Sequence, residues 1–145
     1  MRLKKIILAT IAGLFCFSIH AQTNTCTDTK SAIKMDTLKT NLAIVISSND
    51  TETVWNAFRL ANFSASQKSN TKVFLLGKGV EAQNSSNEKF NVKKMMEDFV
   101  ASGGEIMACG TCLKLRNTES SALCPVSTLA DLYALIQQSE KVISF

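Results

Sequence analysis

Leu42-Ala43-Ile44-Val45-Ile46-Ser47-Ser48-Asn49-Asp50 decides how this chain folds. Its apolar residues run without polar alternation, which describes a strand covered on both faces, the habit of a parallel sheet. Ser48, Asn49 and Asp50 end the strand and offer side chains that cap a helix. Val54, Ala57, Phe58, Ala61 and Ala65 then recur at helical spacing and share one face of an amphipathic helix.

The same alternation continues downstream. Lys72-Val73-Phe74-Leu75-Leu76 reads as a second strand, closed by Gly77-Lys78-Gly79-Val80, and the polar residues 81–89 read as a surface loop. Asn91 caps a helix whose Val92, Met95, Met96, Phe99 and Val100 share a face, and Gly103-Gly104 stops it. Glu105 to Ala108 is a short third strand, followed by a helix from Thr111 to Asn117. A fourth strand fits within Ser121 to Ser127, where Pro125 confines it to an edge. Thr128 with Asp131 resembles a capping box. It opens a helix faced by Leu129, Leu132, Tyr133 and Ile136, and Val142 to Phe145 closes the fold as a strand. Strands alternating with helices imply an α/β domain with a mostly parallel sheet covered on both faces and joined by right-handed crossovers. Sites in such folds gather at the carboxyl ends of the strands.

The amino-terminal residues change the composition. Arg2, Lys4 and Lys5 precede an apolar run from Ile6 to Phe17, and Ala21 follows, the order of a secretory signal peptide cleaved after Ala21. The run is short for a membrane span, and bulky Phe15 before Cys16 argues against lipoprotein processing, so no stable membrane anchor is expected. The expected organisation is a signal peptide at 1–21, a polar lead-in at 22–40 and one domain at 41–145, in a periplasmic or secreted protein. Three of the sixteen basic residues leave with the signal, so most of the +4 net charge leaves too. No basic face suggests nucleic acid. His20 is the only histidine, and its loss excludes Ser-His-Asp and Cys-His catalysis as well as histidine-ligated metal.

What remains is sulfur. Ala108-Cys109-Gly110-Thr111-Cys112-Leu113-Lys114-Leu115-Arg116 places two thiols three residues apart at a strand-to-helix junction. A thiolate reacts where a thiol does not, and a helix start with nearby cations favours the thiolate. Four readings fit. Cys109 carries sulfane sulfur as a persulfide. Alternatively, Cys109 and Cys112 form a reversible disulfide, although Gly110 and Thr111 and the place after a third strand differ from a thioredoxin. A zinc site of Cys26, Cys109, Cys112 and Cys124 lacks a second closely spaced pair, so no metal or other cofactor is expected. Last, a static Cys109–Cys112 or Cys26–Cys124 disulfide is structural and the chain is a binding module.

The order strand, helix, strand, Gly77-x-Gly79-Val80, helix, Gly103-Gly104-Glu105-Ile106, Cys109-x-x-Cys112-x-x-x-Arg116 and Ser127-Thr128-Leu129-Ala130-Asp131-Leu132-Tyr133 resembles the DsrE/DsrF-like family, which includes the YchN and TusD proteins. The resemblance runs from about Asn41 to Phe145. It implies a three-layer α/β/α fold with four to five strands and homo-oligomers, either trimers or hexamers. It also implies a persulfide on Cys109, with Arg116 as the basic residue of the motif and a sulfur donor or acceptor protein, or a small sulfur species, as partner. Asn49, Asp50, Gly77, Gly79, Val80, Gly110 and Thr111 are expected around the pocket, with Cys112 resolving or protecting the adduct.

Overall fold

The computed structural model describes residues 39–145. The expected signal peptide, Cys26 and all but the last two residues of the expected lead-in lie outside them. Among the described residues no helix is long and apolar enough to cross a membrane.

The first apolar run forms β1 (Asn41–Ile46), and Asp50 caps α1 (Thr51–Ser66) by accepting a hydrogen bond from the Thr53 N–H. Then come β2 (Asn70–Leu75), a 3-10 helix (Gly77–Asn84) and α2 (Val92–Ala101), which Asn91 caps through the Lys94 N–H. β3 (Glu105–Cys109) leads directly into α3 (Gly110–Leu115). The chain closes with β4 (Val126–Ser127), α4 (Leu129–Gln138) and β5 (Lys141–Ser144). Thr128 and Asp131 form the capping box at the start of α4. The hydrogen bonds at these two caps hold the Asp50 and Asp131 carboxyls below their ordinary 3.8. Their contribution to stability is therefore complete above that pH and is lost as acid protonates them.

All five strands are parallel, in the order β4-β3-β2-β1-β5. The steps from β1 to β4 run one way across the sheet, and right-handed crossovers place α1, α2 and α3 on one face. The Thr71 hydroxyl donates to Ser64 on α1, so Thr71, Val73 and Leu75 point to that face. Phe58 of α1 meets Phe99 of α2 edge to face at 6.3 Å, and the Asn62 amide donates to carbonyls on both helices. The return from β4 to β5 carries α4 over the opposite face, where Leu132 and Leu135 are buried. This is the three-layer α/β/α arrangement.

Four features depart from the sequence reading. The expected loop at 81–89 is a 3-10 helix as far as Asn84. Gly79 and Ala82 lie one 3-10 turn apart and are buried with Val80. The helix after the cysteines stops at Leu115, because Asn117 adopts a left-handed conformation (φ 48°) and the Thr118 N–H bonds back to Leu113. The expected face of α4 splits: Leu132 is buried, but Leu129, Tyr133 and Ile136 are 73%, 64% and 39% exposed. The edge strand β5 leaves Val142 and Ile143 exposed.

The 3-10 helix is seated by one close approach. A Cβ on Gly79 would lie 2.0 Å from the Ile46 carbonyl oxygen, a main-chain atom with no freedom to yield. Gly79→Ala is therefore expected to destabilise the protein by about 3 kcal/mol, at the upper end of overpacking costs. Urea unfolding measures this as a lower midpoint at unchanged slope.

Candidate functional site

Because the sheet is parallel, the segments leaving β1, β2, β3 and β4 all emerge at one edge. Cys109 is the last residue of β3, pairs in register with Ser127 of β4, and is the N-cap residue of α3. It is only 7% exposed, at the base of a cleft of about 480 Å³ formed with Gly110, Thr111, Cys112, Val126, Ser127 and Leu129. A Cβ on Gly110 would sit 2.8 Å from the Val126 side chain, which would have to shift to admit it. Lys114 also lines the cleft and supplies positive charge.

Cys112 lies one helical turn further and is half-buried. Its sulfur accepts a hydrogen bond from the Gly77 N–H at 3.2 Å. Gly77 has φ 57°, a left-handed turn after β2 that an L side chain disfavours. Burial pushes the Cys112 thiol above its ordinary 9.0, and its hydrogen bond with Cys109 pushes in the same direction. The Gly77 N–H and the Arg116 charge oppose this, the Cys109 charge adds to it, and the balance is upward. The balance favours the protonated form of Cys112. Cys109, Cys112 and Cys124 are all free.

Arg116 follows α3. Its Nη1 donates to the Cys112 carbonyl at 3.5 Å, and its Nε lies 3.6 Å from Glu81 Oε1. The other Glu81 oxygen accepts from the Asn49 side chain at 2.7 Å. Asn49, Gly77, Cys109, Gly110, Thr111, Cys112 and Arg116 thus meet at one rim. Asp50 is taken up in capping α1, while Gly79 and Val80 lie buried beneath as packing. Nothing in the sequence marks Glu81, because a carboxylate in a polar stretch carries no periodic signal. Cys124 is buried at another place, where its thiol donates a hydrogen bond to the Gln83 side-chain oxygen and shares another with the Ser121 hydroxyl.

Residues 40–145 match the family model described as DsrE/DsrF-like. The chain belongs to this family. Its DsrE/DsrF-like domain is 25% identical over 100 residues to an uncharacterised protein of Methanocaldococcus jannaschii, a match covering 65% of this chain and 88% of the relative. It is 29% identical over 101 residues to an uncharacterised protein of Methanopyrus kandleri, covering 65% and 83%. Among solved structures it is similar to the YchN protein from Escherichia coli, with a TM-score of 0.66 and 23% identity over 73% of this chain and 99% of that one. A conserved protein of unknown function from Bacteroides thetaiotaomicron gives 0.58 and 18% over 72% and 95%. These two structural likenesses bear on the fold alone.

The raised Cys112 value has two measurable consequences. The folded protein keeps this proton where the unfolded chain has lost it. Its contribution to stability is therefore complete below 9.0 and is lost as pH rises through the higher folded value. The pH profile of Cys112 alkylation, read by peptide mass spectrometry, is expected to have its midpoint above 9.0 and to move down in Cys109→Ala.

Proposed function

We propose that this DsrE/DsrF-like protein transfers sulfur, holding sulfane sulfur as a persulfide on Cys109. The observation that carries this reading is the placement of Cys109 at the base of an open cleft, beside a second thiol that keeps its proton. In the loading step the Cys109 thiolate attacks the outer sulfur of a donor persulfide or polysulfide. One S–S bond forms, one breaks, and the donor leaves as a thiolate or shortened polysulfide. Passage to an acceptor thiolate is the same exchange in reverse. No external oxidant or reductant is consumed.

Cys112 decides what else can happen. As a thiolate it would attack Cys109 Sγ, form the Cys109–Cys112 disulfide and expel the outer sulfur as hydrosulfide. As a thiol it is a poor nucleophile and can donate a hydrogen bond to the bound sulfur. Its proton therefore protects the cargo. Export through cleavage after Ala21 and assembly into a homotrimer or homohexamer belong to the same proposal. The signal-like residues 1–21 and the exposed apolar side chains of α4 support them. The partner is a protein or small molecule that gives or accepts sulfane sulfur.

A second reading has its own support. Both thiols line one cleft at Cys-x-x-Cys spacing, so the pair can also serve as a thiol–disulfide couple. Mass spectrometry of the reduced protein after exposure to polysulfide separates the two. One added sulfur on Cys109, absent in Cys109→Ala and retained in Cys112→Ala, is the expected result. A fast Cys109–Cys112 disulfide without any adduct would establish the redox couple instead. Two unreactive thiols would leave a binding module.

A further inference from the structure

The 3-10 helix grips α3 at two points of equal spacing. Gly77 holds the Cys112 thiol, and Glu81, four residues on, meets Arg116, four residues beyond Cys112. Glu81 is itself fixed from β1 by the Asn49 amide at 2.7 Å. An ion pair this exposed and this long adds little stability. Its position is more informative than its strength, because Arg116 is the cation whose charge reaches Cys112 and whose Nη1 binds the Cys112 carbonyl.

We propose that Glu81, held between Asn49 and Arg116, is a positioning residue that sets how readily Cys112 acts as a nucleophile. Its carboxylate offsets the guanidinium charge and holds that group along the helix, away from a closer approach to sulfur. Cys109 from β3 and Lys114 share the cleft with Cys112. From the α4 side, Thr128 lines the cleft, but its neighbour Asp131 is committed to the capping box. Glu81 is thus the carboxylate placed to tune the thiol.

The consequence for sulfur rests on the persulfide reading. With Glu81 in place, Cys112 is slow to expel sulfur from Cys109. Without it, Arg116 favours the Cys112 thiolate. That thiolate bonds to Cys109 Sγ as the outer S–S bond breaks, and hydrosulfide leaves with the electron pair and the proton of the persulfide. Cys112 is oxidised and the outer sulfur is reduced, so the step balances within the protein.

The test follows Cys112 alkylation of the reduced full chain from about pH 6 to about pH 10. Glu81→Gln is expected to shift the profile down by about half a pH unit, about threefold in rate below the midpoint, and Arg116→Gln to shift it up. Thermal melts identify any variant that fails to fold, and the opposite-signed Arg116 variant supplies an independent arm. Shifts in the same direction, or none in folded variants, would overturn the proposal. Sulfide release from polysulfide-loaded protein should then be about threefold faster in Glu81→Gln, in step with the alkylation rate. If no variant loads sulfur while the opposed alkylation shifts persist, the tuning role stands and the persulfide reading falls.

Discussion

The contact between Gly79 and the Ile46 carbonyl oxygen leaves no room for a β-carbon, and the rim depends on it. By letting the 3-10 helix lie against the end of β1, this approach fixes the turn at Gly77. The Gly77 N–H then meets Cys112, and Glu81 is carried to Arg116. The same segment buries Val80 and Ala82, so packing and site geometry are one constraint. A glycine that looks like loop punctuation in the sequence is a structural requirement of the cysteine pair.

The second constraint is the inequality of the two thiols. Cys109 ends β3, next to the edge strand β4, and is buried. Cys112 sits on the first turn of a six-residue helix and depends on a residue thirty-five positions earlier for its hydrogen bond. Burial and the neighbouring cysteine hold its proton in place. A pair that looks interchangeable as Cys-x-x-Cys is therefore divided between a sulfur at the cleft base and a thiol held beside it.

Much of this was legible in the sequence, for physical reasons that vary by element. The run Leu42 to Ile46 declares a strand buried on both faces, and Thr128 with Asp131 declares a helix start, because both signals are local. The thiols could be placed at the carboxyl edge once the strands were counted, since parallel strands share that edge. Helical period identifies an apolar stripe but not what covers it. The stripe therefore includes Leu129, Tyr133 and Ile136, which the fold leaves exposed, and omits Leu135, which it buries. Glu81 and the Gly77–Cys112 bond were illegible because they join segments distant in sequence through polar or main-chain atoms, which leave no pattern.

The central claim is that Cys109 hands sulfur on while Cys112 stands aside, and a single-turnover transfer tests it most directly. The protein is loaded with isotopically labelled sulfane sulfur at neutral pH, freed of donor, and mixed with a small acceptor thiol. The account predicts that the label appears as the acceptor's persulfide and that both cysteines return as free thiols. Label released as sulfide, with the protein recovered as the Cys109–Cys112 disulfide, would contradict it.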